Sequence, residues 1–299
     1  MRLLLDVDDQ RRSERHGCPL SEPRAGAPEV RALARSRAAL GLLFLLRTTP
    51  ILAPLQIPVL RGTAPLLGWP DDRWHGSPTI PLPAALVAAL CVLRTVAAIA
   101  FMLGIEAPLA GIVAGVSGYL VLVQRPFGLL FTLHLLYLGV ILLALTDCSS
   151  VLSPRPRPAR APASGILLIR LFVASVYAWA AIGKLRHDWF DGHTLEVLLR
   201  QRWLSGRIAE VLLATPDRRV AAAWAVALGE FALGPLLLWR RTRLVGLAVA
   251  LAFHLGIEVI GHADLLGYEM MALLICFIPG ALPQRGLQRG ASAGHQMSP

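Results

Sequence analysis

Long apolar runs separated by short polar stretches form the dominant pattern of the chain. Several of these runs approach the ~20 apolar residues that a helix needs to cross the core of a bilayer. The pattern predicts an all-α, polytopic membrane helix bundle with about eight hydrophobic segments, of which seven or eight would span the membrane. The first segment begins near Ala38, and the others lie at 84–103, 105–123, 127–146, 165–186, 220–239, 243–261 and 264–280.

The first segment is the weakest of these. Arg47 interrupts it, and Pro50, Pro54 and Pro58 follow at short intervals. Prolines at this density kink a helix or convert it into an interfacial segment. The number of spans is therefore predicted only to within one.

The polar stretches predict one surface helix and the bounds of three regions of the chain. Residues 187–219 are too polar to cross a membrane, but 194–213 has the pattern of an amphipathic helix that lies on the membrane surface. We predict a disordered cytoplasmic tail at 1–37, a transmembrane domain at 38–280 and a disordered C-terminal tail at 281–299.

Composition excludes a soluble globular protein. Hydrophobic residues make up 55% of the chain and charged residues only 16%. The formal net charge of +10 comes from arginines in the tails and loops, which favours anionic membrane lipid as a partner and excludes nucleic acid. The four cysteines, Cys18, Cys91, Cys148 and Cys276, have neither disulfide nor metal-ligand spacing.

The arginine-rich connections also predict the orientation. Lys and Arg near membrane spans are enriched on the cytoplasmic side. With eight crossings, a cytoplasmic N-terminus places the linkers 147–164 and 240–243 and the C-terminal tail in the cytoplasm. We therefore predict a multi-pass cell-membrane protein with both termini cytoplasmic. Residues 187–219 fall outside, although they carry Arg200, Arg202, Arg207, Arg218 and Arg219.

Lys184 is unusual among the basic residues of this sequence. The chain contains 29 Lys and Arg residues, and Lys184 is the only lysine among them. A partly buried lysine can lose its proton, whereas arginine cannot at any ordinary pH. Lys184 is therefore a candidate general base. The alternative is a lysine at a helix end that snorkels to the lipid headgroups.

Other ionisable and aromatic side chains lie within the apolar segments. Such groups are costly in a membrane and usually face a cavity or a partner. Two of them, Arg94 and Glu230, lie near the midplane, where we expect structural buried charges. The remainder fall in the outer half of the membrane together with Lys184: His134, Tyr137, Tyr177, His254, Glu258 and Glu269.

His254, Glu258 and His262 have the spacing of a metal-binding stripe on one helix face. The sequence supplies no third clear ligand from another segment. We therefore expect no metal.

Three stretches of the sequence form a recognisable pattern: VYAWAAIGKLRHDWFDGHTLEVL, LHLLYLGVILLALTD and LGEFALGPLLLWRRTRLVGLAVALAFHLGIEVIG. They resemble the membrane domain of the vitamin K-dependent γ-glutamyl carboxylases and their HTTM (horizontally transferred transmembrane) relatives. The resemblance covers roughly 38–280, and the stretch with Lys184 is its most specific part.

The resemblance implies a chemistry. In the carboxylases, the lysine deprotonates reduced vitamin K, oxygen converts the anion to a stronger base, and CO2 then adds to a peptide glutamate. By this analogy Lys184 would be the base and His134 would assist carboxylation. Tyr137, Tyr177, Trp189, His254 and Glu258 become candidates for binding the substrate or a prenylated quinol.

The chain departs from the carboxylases in two ways. From the sequence up to Pro299 we expect no large lumenal domain of the kind that helps those enzymes to bind a peptide, and the stretch DCSSVLSPRP lacks the tryptophan found in relatives. The quinol chemistry is therefore better supported than carboxylation. A small secreted peptide or a partner protein would supply the substrate. A transporter or proton relay and a non-catalytic partner in peptide maturation remain alternatives.

Overall fold

A computed structural model of the chain describes residues 27–48, 82–122, 131–146, 148, 152–154, 163–185, 187–261 and 265–278. Its regular elements are helical, which confirms the all-α fold class, and a single antiparallel bridge joins Leu204 to Gly261. The helices are α1 (Ala27–Thr48), α2 (Ala84–Leu103), α3 (Ala107–Leu122), α4 (Phe131–Ala144), α5 (Ala163–Gly183), α6 (His187–Phe190), α7 (His193–Arg200), α8 (Arg207–Leu212), α9 (Pro216–Leu238), α10 (Arg243–Ile260) and α11 (Leu266–Leu274).

Four helices of the described chain are long and apolar enough to cross a membrane. They are α2, α5 from Ser164 onward, α9 and α10. Helices α3 and α4 are apolar but shorter, and so is α11 with the 3₁₀ turn Ile275–Phe277 that follows it. The predicted total of seven or eight spans therefore stays a prediction.

Helix α1 begins earlier than the sequence analysis placed it. Residues 27–37, predicted to belong to a disordered tail, are helical. The apolar side chains of Val30, Leu33 and Leu40 are fully buried, and they recur at the spacing of one helix face. Frequent arginines on the other positions conceal this face in the sequence. Residues 1–26, the three prolines after Thr48 and residues 279–299 lie outside the described residues.

The surface helix predicted at 194–213 is two helices, α7 and α8. Between them the backbone takes positive φ angles, 59° at Arg202 and 90° at Gly206. A right-handed helix cannot continue through this conformation. The amphipathic pattern therefore continues across a turn that breaks the helix.

Glycines bring α3 and α4 into close contact. An added Cβ at Gly118 would lie 2.7 Å from Cε1 of Tyr137, and one at Gly111 would lie 2.6 Å from Cβ of Ala144. These positions therefore have no room for a side chain. Small residues of this kind let membrane helices approach closely.

Helices α5 and α9 pack antiparallel through the centre of the bundle. Gly234 of α9 lies against the carbonyl of Ala174, and Glu230 lies against Lys184, which follows α5. The end of α10 reaches the same side, because the backbone NH of Ser205 donates to the carbonyl of Ile260 at 2.9 Å. We call this side the Lys184 end: α5 and α10 finish there, and α6 to α8, α9 and α11 begin there.

The opposite side of the bundle is held by Arg37, and we call it the Arg37 end. Its fully buried guanidinium donates to the carbonyls of Cys148, at 2.8 Å, and of Leu152. The hydroxyl of Ser153 donates to the carbonyl of Gly104, in the turn between α2 and α3, at 3.0 Å. These bonds tie Cys148 and Leu152 to α1 and Ser153 to that turn.

The surface is apolar where a soluble protein would be polar. Large side chains such as Val92, Leu109 and Phe231 are each more than half exposed, while Arg94, Glu230 and His254 are buried. This inverted arrangement suits a lipid environment.

Candidate functional site

Lys184 turns back into the bundle. Its Nζ atom donates to the carbonyl of Ala180, one helical turn earlier, at 3.3 Å. The same atom lies 2.6 Å from Oε2 of Glu230, and the two side chains are 19% and 8% exposed. A snorkelling lysine would extend away from the helix towards the headgroups. Lys184 has the opposite geometry.

Helix direction explains why these two side chains meet. Side chains tilt towards the N-terminus of their own helix. Because α5 and α9 are antiparallel, the side chain of Lys184 leans back along α5 while that of Glu230 leans towards the Lys184 end. The two charged groups thus approach each other from opposite directions.

Trp189 covers the amine. The Nζ atom of Lys184 lies 5.1 Å from the centroid of the indole ring, which is within the range of a cation–π interaction. The indole NH of Trp189 donates to the carbonyl of Ala223 at 3.0 Å and so fixes the ring against the first turns of α9. The turn after α5 therefore contributes to the surroundings of the lysine.

A second buried pair lies deeper on the same helix. The Tyr177 hydroxyl, two turns before Lys184, is 2.8 Å from Nε2 of His254, and both residues are almost completely buried. We call the five residues Lys184, Trp189, Glu230, Tyr177 and His254 the Lys184 cluster.

One ring nitrogen of this cluster makes no hydrogen bond within the described residues. It is the Nδ1 atom of His254, which is buried. The other ring nitrogen faces Tyr177, so the tautomer of the imidazole decides which of the two groups donates.

His134 and Tyr137 form a separate group. His134 is also near the Lys184 end, because the opposite end of α4 contacts the start of α5 through Thr146 and Gly165. Its Nδ1 atom lies 3.1 Å from the hydroxyl of Tyr119 on α3. Within the described chain, the His134 side chain contacts Tyr119 and makes no hydrogen bond to Lys184 or His254.

Tyr137 packs against this second group in the protein core. It is 2% exposed, its ring packs edge-on against Tyr119 at 5.4 Å, and it lies tilted against the ring of Phe44 at 5.3 Å. Its contacts are those of a core residue between α1, α3 and α4.

The other candidates lie at separate places. Oε1 of Glu258 accepts the backbone NH of Gly267 at 3.0 Å, which places this carboxylate at the start of α11. Glu269 is fully buried within α11. Arg94 donates to the carbonyl of Thr48, at the end of α1, at 2.9 Å.

No group of three His, Cys, Asp or Glu residues in the described part of the chain is arranged to hold a metal ion. His262, the last member of the possible metal stripe, lies outside the described residues.

Lys184 and Glu230 were both candidates from the sequence, but no contact between them was predicted. The sequence analysis placed Glu230 at the midplane with Arg94 and placed Lys184 nearer the surface. The available signal was their opposite charge, because buried charges in a membrane usually pair with one another. The register of α5 against α9, which makes the pairing possible, is not visible in the sequence.

Comparison with known families supports the membrane assignment. The model of the HTTM domain matches residues 76–280 of this chain. No solved structure matches the chain.

Proposed function

The chain belongs to the HTTM domain family, and we propose that it is a membrane enzyme in which Lys184 acts as a general base towards a prenylated quinol such as reduced vitamin K. Its apolar helices and its HTTM domain make it an integral membrane protein. The reaction would be a quinol-linked carboxylation or oxygenation on the extracytoplasmic side.

The observation that carries the proposal is the ion pair between Lys184 and Glu230. A general base has to take up a proton and hold it. At 2.6 Å, Glu230 stabilises the protonated amine, and it can also accept that proton to give a neutral pair. The neutral pair is accessible because a low-dielectric interior penalises both charges. Glu230 is thus the group that prepares Lys184 to act as a base.

The surroundings of Lys184 suit the headgroup of a quinol. They offer a partly exposed amine and the face of an indole. Ile182 and Leu185, 49% and 69% exposed, flank the lysine with apolar surface that a prenyl tail could follow. A bound quinol would supply an acidic hydroxyl and two electrons, which molecular oxygen would accept. Trp189 would orient its ring, and Lys184 would take up the proton.

The roles of the other candidates rest on the resemblance to the carboxylases. His134 would assist the addition of CO2 from the neighbouring group formed with Tyr119 and Tyr137. A secreted peptide or partner protein would bring the carboxyl substrate to the Lys184 end.

The substitution Lys184→Arg tests the proposal. Arginine keeps the positive charge for Glu230 but cannot be deprotonated. We expect the oxidation of reduced vitamin K by purified protein to fall by about 10²–10⁴, the usual loss of a general base. Arg207→Lys, a conservative change at an exposed arginine, is the matched control and should leave the rate unchanged. Wild-type turnover by Lys184→Arg would reject the role of base.

The continuity of the cluster favours one second candidate, a proton relay. Lys184 pairs with Glu230, and deeper in the bundle Tyr177 pairs with His254. A relay would take up protons into proteoliposomes without any quinol, and His254→Phe would stop that uptake. An enzyme would show quinol oxidation and no such uptake.

A further inference from the structure

A second polar site lies at the Lys184 end, apart from the Lys184 cluster. It is a cavity of about 690 Å³ between α7, α8 and the start of α9. Three arginines and two glutamates contribute to its lining: Arg200, Arg202, Arg219, Glu196 and Glu210. The lining therefore carries a net positive charge.

The arginines that line this cavity differ in whether they have an ion-pair partner. Glu196 is shared by two arginines, with Oε1 at 2.5 Å from Arg200 and Oε2 at 3.4 Å from Arg219. The side chain of Arg202 forms no ion pair or hydrogen bond with any residue that the structure describes. Its backbone has a φ of 59°, a conformation that a non-glycine residue rarely adopts. The turn thus holds an arginine in the lining of a charged cavity, and its side chain has no partner among the described residues.

Helix α8, which forms one wall, is apolar on two faces. Ala209 and Leu213 are buried against the protein. On the outward face, Ile208, Val211 and Leu212 are 53%, 56% and 54% exposed. They occupy neighbouring positions on the helix surface. A short helix with an exposed apolar face beside an arginine-lined cavity is suited to the boundary between headgroups and acyl chains.

From these features we propose that the cavity binds the phosphate headgroup of an anionic phospholipid, with its acyl chains along the outward face of α8. Guanidinium groups form paired, charge-assisted hydrogen bonds to phosphate. The adjoining apolar face favours a lipid over an acidic peptide, which would need a polar surface for its backbone. The proposal also explains why 187–219 is rich in arginine, and it does not depend on the chemistry at Lys184.

Lipid binding by the purified full-length chain tests this site. The probe is phosphatidylglycerol, with phosphatidylcholine, glycerol phosphate and a hexaglutamate peptide as comparisons, and adducts are titrated by native mass spectrometry. We expect phosphatidylglycerol to bind at least tenfold more tightly than phosphatidylcholine. Arg202→Gln should weaken phosphatidylglycerol binding about fivefold, the loss expected for one arginine near anionic lipid.

Arg207→Gln is the matched control, because Arg207 is an exposed arginine on α8 that is not part of the cavity lining. An equal loss from Arg202→Gln and Arg207→Gln would show general surface electrostatics and overturn the site. Equal affinity for the two phospholipids would overturn it as well. Displacement by glycerol phosphate at the same concentration would indicate a site for free phosphate, and tighter binding of the peptide would indicate a peptide site. Either result would reject the lipid.

Discussion

Lys184 and Glu230 would each be unfavourable alone in an apolar bundle. Separated, each buries a charge that has lost its water; together, each supplies the counterion of the other. The sequence made both residues conspicuous, Lys184 as the only lysine and Glu230 as a charge in an apolar helix. Their contact could not be predicted, because it depends on the register of α5 against α9. Even a shift of one turn would move a side chain by about 5 Å along the helix.

The ion pair predicts a stability effect that is separate from any activity. Glu230→Ala leaves the amine of Lys184 buried without its counterion, and removal of one partner from a buried pair costs about 3–5 kcal/mol of unfolding free energy. We expect a lowered midpoint of thermal unfolding in detergent.

The matched control for this prediction is Glu210→Ala, at an exposed glutamate, which should change the midpoint little. The exchange Lys184→Glu with Glu230→Lys should recover part of the stability, because it restores opposite charges. A midpoint for Glu230→Ala equal to that of the wild type would show that the pair contributes nothing to stability.

Among the helices, the apolar runs of the sequence predicted the long apolar helices well and the surface helices less well. The long segments at 84–103 and 243–261 correspond closely to α2 and α10. Helix α1 was placed too late because arginines dilute its apolar face. Helices α7 and α8 were merged because a positive φ at Arg202 has no signature in the sequence. Hydrophobic patterns report a buried face, and they do not report a turn between two such faces.

Two glycine-to-alanine substitutions should have opposite effects on stability, because the space around the two glycines differs. Gly118→Ala places a methyl group 2.7 Å from the ring of Tyr137, and overpacking of this kind costs about 1–3 kcal/mol. Gly256→Ala in α10 meets nothing within 4 Å and should stabilise its helix by up to about 1 kcal/mol. Thermal unfolding of the two variants should therefore shift in opposite directions. A stabilised Gly118→Ala would show that the two helices do not approach closely there.

For the whole molecule, the sequence predicts the membrane class and leaves the arrangement of the helices open. Mean composition and apolar runs suffice to identify a membrane helix bundle. Which helices are neighbours depends on side-chain complementarity between segments distant in sequence, such as α11 against α1 through Ser36 and the carbonyl of Ala272, at 2.7 Å. The orientation of the bundle in the membrane is a separate property, because it depends on which loops the cell retains in the cytoplasm.

The two ends of the bundle allow this orientation to be tested. Ser153 is at the Arg37 end and Ser205 at the Lys184 end, and the intervening helix α5, of 21 residues, is about 30 Å long. If the linker 147–164 is cytoplasmic, a membrane-impermeant maleimide should label Ser205→Cys in intact cells and Ser153→Cys only after permeabilisation. Both variants need a background in which the four native cysteines are replaced, and that background without a new cysteine is the control. Labelling of Ser153→Cys from outside would invert the topology. It would place Lys184, its cluster and the arginine-lined cavity on the cytoplasmic side, where a secreted peptide could not reach them.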